Sequence, residues 1–121
     1  MNIIINGIEY EPKEKNNENN ENNENYVIVR THVMGVFAGK LSKESTETVK
    51  ILNNARRLWY WEGAASLSEL SQKGTSNPME CKFPAPVPTV ELTSPQGFEI
   101  LTMTDKSKLS IYSVPEWTAH D

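Results

Sequence analysis

Cysteine is nearly missing from this chain. Cys81 is the only one in 121 residues, so no disulfide can form within it, and a lone thiol fits a reducing compartment. Long apolar runs are missing too. Nothing approaches the roughly 20 residues that span a bilayer, and the opening MNIIINGIEYEPK is too short and polar for a signal peptide. The expectation is a soluble intracellular protein without membrane contact. No glycine-rich phosphate loop, dinucleotide fingerprint or nucleophile elbow is present. The two histidines, His32 and His120, and one cysteine offer no metal-ligand spacing. The reading is therefore a protein without catalytic residues, metal or cofactor.

Apolar residues are absent altogether from Asn16 to Asn25, which reads NNENNENNEN. Such a segment buries nothing to offset its ordering entropy. The chain divides accordingly into an N-terminal hairpin arm (1–12), a disordered Asn/Glu-rich linker (13–25), a globular domain (26–117) and a tail (118–121). Lys13 and Lys15 stand against six glutamates in residues 1–25, so the net charge of −4 lies wholly in that part. The rest is neutral, with ten basic and ten acidic side chains. A neutral body argues against duplex nucleic acid, which calls for a broad basic face.

In the arm, Asn6-Gly7 between isoleucine-rich runs predicts a tight hairpin. In the body, Tyr26 to Thr31, Val36 to Leu41, Val49 to Leu52 and Arg56 to Trp61 read as strands, with Asn53-Asn54 as a turn between the last two. Ser66 and Glu69 have capping-box spacing at the head of a helix that Gly74 ends. Thr89 to Thr93 and Phe98 to Met103 read as strands around a turn at Ser94 to Gly97. Thr104 caps a last helix over Asp105 to Ser113. The fold class is α+β: a mostly antiparallel sheet with two short helices.

The chemically loaded run is NARRLWYWEGAASLSEL, Asn53 to Leu70. On a strand, Arg57, Trp59 and Trp61 share one face, while Arg56, Leu58 and Tyr60 share the other. Guanidinium groups pair with phosphate and aromatic faces stack on bases, so this face has the ingredients of a nucleotide site. The same residues serve equally as core packing, with the arginines stacked on the rings. The small residues before Ser66 would let an anion reach free N–H groups at a helix start, or they simply form a tight corner. Arg30 and His32 alternate with valines on their strand and offer a second cationic element, or a solvated face.

VIVRT with GVFAG, NARRLWYWEGAASLSEL, CKFP and a closing VPEW together resemble a family of small proteins of tailed phages and prophages. The resemblance implies an accessory protein acting in the host cytoplasm and supplies no catalytic residues. By analogy with phage proteins that blunt host immunity, the expected function is sequestration of a nucleotide-derived host signal, cyclic ADP-ribose-like or a cyclic oligonucleotide. The binding protein would be a homo-oligomer using Arg30, Arg56, Arg57, Trp59, Trp61 and Ser66. The alternatives are a module that inhibits a host protein, and an enzyme that cleaves such a signal with His32 as acid or base.

Overall fold

β-branched and aromatic residues in short runs, broken by glycine, asparagine and proline, give strands linked by tight connections. The computed structural model describes residues 3–5, 8–9 and 25–118. Strands β1 (Ile3–Ile5) and β2 (Ile8–Glu9) pair antiparallel as a separate two-stranded ribbon. Their Asn6-Gly7 connection and residues 10–24, which hold nearly all of the expected linker, lie outside the described residues.

The body is a five-stranded antiparallel sheet made from β3 (Tyr26–Arg30), β4 (Val36–Leu41), β5 (Val49–Arg57), β6 (Val87–Thr93) and β7 (Glu99–Thr102). Its order is β6-β5-β4-β3-β7. Helix α1 (Leu67–Lys73) lies between β5 and β6, and α2 (Asp105–Ser113) follows β7. This is the expected α+β class.

One expected turn is instead a bulge. Residues 49–57 form a single strand, and Asn54 sits within it at φ +52°. Ala38 pairs with Arg56 but Lys40 pairs with Asn53, so β5 carries one extra residue there. Asparagine tolerates a positive φ as a single residue, which kinks a strand without reversing it. The strand then ends at Arg57, four residues before the expected limit at Trp61. Beyond it Leu58 N–H still donates to Val36 O at 2.9 Å, and Tyr60 forms an isolated bridge with Lys82.

The turn at Ser94 to Gly97 forms, with Gly97 N–H donating to Ser94 O at 2.9 Å, but it does not join paired strands. β6 and β7 occupy opposite edges of the sheet. Across a flat five-stranded sheet those edges would lie about 19 Å apart, too far for five residues that contain a turn. The sheet curls instead. Lys50 of β5 accordingly lies over the ring of Phe98, just before β7, at 5.4 Å.

Curling gives the sheet two buried faces. The concave face gathers Val27, Val29, Phe37, Leu52, Ala55 and Leu92. The convex face packs Ile28 and Ala38 against Leu67 and Leu70 of α1, Ile111 of α2, and Cys81 and Phe83 of the proline-rich segment from Asn77 to Pro88. That segment includes a 3-10 turn at Pro78–Glu80. The helices satisfy each other's ends. Ser107 Oγ donates to Leu70 O at 2.7 Å, Thr104 Oγ to Gln72 O at 2.7 Å, and Thr104 N–H to Ser71 O at 3.1 Å. The Ser71 and Gln72 carbonyls, which the end of α1 leaves open, are thereby filled, while Leu70 O also accepts from Gly74 N–H at 3.0 Å.

Candidate functional site

Strand alternation sends the two neighbouring arginines to opposite faces. Arg56 turns to the convex face and is only 1% exposed. Its Nε donates to Pro84 O at 2.8 Å, Nη1 to Ile111 O at 2.9 Å and Nη2 to Phe83 O at 2.9 Å. Burial lowers its pKa, while the charge of Glu116 and then Tyr112 act in the opposite direction. The guanidinium thus ties β5 to the proline-rich segment and to α2. With all three nitrogens committed to backbone carbonyls inside the core, Arg56 is not placed to pair with a ligand phosphate.

Arg57 is the exposed one. Its guanidinium lies 4.3 Å from the ring centroid of Phe37, its cross-strand neighbour, and Nη1 donates to Met34 O at 3.1 Å. The β3–β4 connection beside it is tightly made. Thr31 N–H and Thr31 Oγ1 both donate to Gly35 O, at 3.0 and 3.1 Å, and Met34 N–H donates to Thr31 Oγ1 at 2.7 Å. This small hydrogen-bonded loop holds Val33 and Met34 outward, 80% and 41% exposed. Trp59, just past the end of β5, is 64% exposed. Sequence reading missed Val33 and Met34, because exposure of an apolar residue in a loop leaves no periodic signal.

The two tryptophans part company. The chain leaves the strand after Arg57, and Trp61 packs half-buried against the convex-face core. Tyr60, between them, bonds through its hydroxyl to the Glu62 carboxylate, which raises its pKa. Lys82 lies 5.6 Å from the Tyr60 ring and 5.8 Å from the Trp117 ring. Lys82 thus lies near both the Tyr60 and the Trp117 rings, and neither ring is among the described contacts of Arg57.

The corner before α1 is filled by its own chain. A side chain at Gly63, where φ is +83°, would meet the backbone N of Asn77 at 2.5 Å and of Ser76 at 2.7 Å. Ser66 Oγ already accepts from Glu69 N–H at 3.1 Å, and Glu69 Oε1 accepts from Ala65 N–H at 2.6 Å. The first turn therefore has a cap and a carboxylate where an anion was expected, and Ser66 works as an N-cap.

Arg30 ends β3 on the surface, and its Nε is 2.9 Å from Glu99 Oε1 of β7. The pair borders an open groove of about 520 Å³ that is also lined by Thr31, His32, Gln96, Gly97 and Phe98. His32 therefore stands with Arg30, as their spacing suggested. The far wall comes from a turn more than sixty residues away, and only the strand order brings it close. Among the described residues no group of three or more His, Cys, Asp or Glu is placed to hold a metal, and no helix is long and apolar enough to cross a membrane.

Of the six expected ligand residues, Arg57 and Trp59 share one end of the sheet and Arg30 lies at the groove nearby, which begins in the same Thr31 to Gly35 loop. Arg56, Trp61 and Ser66 are committed elsewhere. No curated protein and no solved structure matches the chain. Residues 24–111 match the family described as a domain of unknown function, DUF6948, and the chain belongs to that family.

Proposed function

We propose that this chain is a non-catalytic binding protein that recognises another protein through the sheet end bearing Val33, Met34, Arg57 and Trp59. One observation carries the reading: a hydrogen-bonded loop holds two large apolar side chains in solvent at the sheet end where β5 finishes with an exposed arginine and, two residues on, an exposed tryptophan. Exposed apolar clusters of this kind mark interaction surfaces, and tryptophan, methionine and arginine are enriched in protein interfaces. The resemblance to tailed-phage proteins supports a setting inside an infected host, where the partner would be a defence protein that this chain inhibits.

The test compares copurification of full-length protein from host lysate with that of Val33→Asp and Trp59→Asp. Leu109→Asp, on the exposed side of α2, serves as control. A partner retained by the control and lost by both others is expected. A partner retained by all three would overturn the assignment.

The groove supports a second reading, sequestration of a nucleotide-derived host signal by a homo-oligomer. Its volume is within the range of small-ligand sites, and Arg30, His32 and Phe98 supply cation and ring. Native mass spectrometry of protein from defence-induced cells checks it. A nucleotide mass that disappears in Arg30→Ala is the expected result, and an empty groove at saturating cyclic nucleotide would refute it.

A further inference from the structure

The chain has three arginines, and two have their charge answered within the protein: Arg30 by Glu99, and Arg56 by three backbone carbonyls. Arg57 differs. Among the described residues it meets one carbonyl, that of Met34, and one aromatic ring, that of Phe37, with no carboxylate. Neither His32 to Val36 nor Ala55 to Trp61, the segments around it, contains an acidic residue.

The guanidinium is nevertheless held in place. Phe37 is buried, so the surface beneath Arg57 is fixed, and the bond to Met34 O sets the position of the fork on that surface. A guanidinium held this way has already lost much of its rotational freedom, so pairing with a planar oxyanion loses less than it would for a free side chain. Among the described residues only Nη1 of Arg57 makes a hydrogen bond, which leaves Nε and Nη2 toward such a group.

We infer that Arg57 is the anchor of the proposed interface and that the partner segment presents an Asp or Glu carboxylate flanked by bulky apolar side chains. The carboxylate pairs with the fork, and the apolar flanks cover Val33, Met34 and Trp59. A carboxylate on a peptide fits better than the phosphate of a nucleotide. The ring this cation rests on, Phe37, is buried beneath it, and the exposed residues at the same sheet end are Val33, Met34 and Trp59, which suits side-chain burial more than stacking of a base.

This inference rests on the protein-binding reading, and the experiment separates the two. Random peptides displayed on a particle are selected against the full-length chain. The enriched sequences are then measured as synthetic peptides against Arg57→Gln, Arg57→Lys, Trp59→Ala and Arg30→Gln. The expectation is enrichment of an acidic residue within two positions of a large apolar one. Arg57→Gln should weaken binding at least tenfold, Arg57→Lys should recover little of it because it lacks the planar fork, and Arg30→Gln should change it less than twofold. Thermal unfolding of each variant confirms that the fold persists. Peptides that need Trp59 but tolerate Arg57→Gln would overturn the anchor and leave the interface standing. Peptides indifferent to Trp59, no enrichment at all, or a selected peptide displaced by a cyclic dinucleotide would overturn both.

Discussion

The convex, helix-covered face and the exposed sheet end are built from adjacent residues of one strand, Arg56 and Arg57, and treat the same side chain in opposite ways. On the covered face, the guanidinium is a fastener that joins three segments through buried carbonyls. At the exposed end, it rests on the Phe37 ring and, among the described residues, bonds one carbonyl, that of Met34. The difference shows that a double arginine carries no fixed meaning. The pleat sends one copy inward to hold the fold and leaves the other outside, where its charge is available.

The largest effect on stability comes from Arg56→Met. It removes three charged donors from the core, leaving Pro84 O with no other donor among the described residues while Phe83 O and Ile111 O keep the N–H groups of Trp117 and Val114, and should lower unfolding free energy by about 3 kcal/mol, read as a shift in urea midpoint. That is a large part of what a domain of this size possesses. Asn54→Val comes next. A β-branched residue at φ +52° is strained, and the bond from Asn54 Nδ2 to Tyr26 Oη at 3.0 Å is lost. The expected loss is about 2 kcal/mol by the same assay.

Tyr112→Phe should cost about 1 kcal/mol, since its hydroxyl donates to Asn54 O at 2.6 Å. It also sharpens the contrast through pH. Burial, and then Tyr26, hold the Tyr112 pKa above its ordinary value, opposed by Arg56. A raised tyrosine pKa means that the folded state favours the neutral form. Its contribution is complete below the unfolded value near 10 and is lost as pH rises from there toward the folded value. Wild type should therefore lose more stability above about pH 10 than Tyr112→Phe does, a difference visible in chemical denaturation at alkaline pH. The smallest effect belongs to the exposed end. Trp59→Ala should shift stability by no more than about 0.5 kcal/mol, and a larger shift would place that ring in the core and dissolve the contrast.

Much of the fold was legible because local chemistry agreed with it. The Val36 to Leu41 strand, the Ser66 cap with Glu69, the Gly74 stop and the Thr104 cap all appear as their residues suggest. Asn54 misled because asparagine at positive φ serves turns and bulges alike, and only the pairing with β4 decides between them. The site was harder to read. Alternation correctly separates Arg56 from Arg57, but it does not say which face the helices will cover. Trp61 was grouped with Trp59 by assuming a strand that stops four residues sooner. The groove depends on β7 reaching β3, and no local pattern reports a pairing between residues so far apart.

That last pairing also governs the order in which the chain can acquire its shape. β3, β4, β5 and β6 are sequential neighbours, although a long segment with α1 intervenes before β6, whereas Val27 waits for Thr102. Closing so long a loop is slow compared with forming a meander. During synthesis, Ile28 gains its full cover only when Leu101 and the α2 residue Ile111 have been made. The first strand of the body is therefore completed by residues made more than seventy positions later, and a ribosome stalled before them holds a chain whose core is still open on one side.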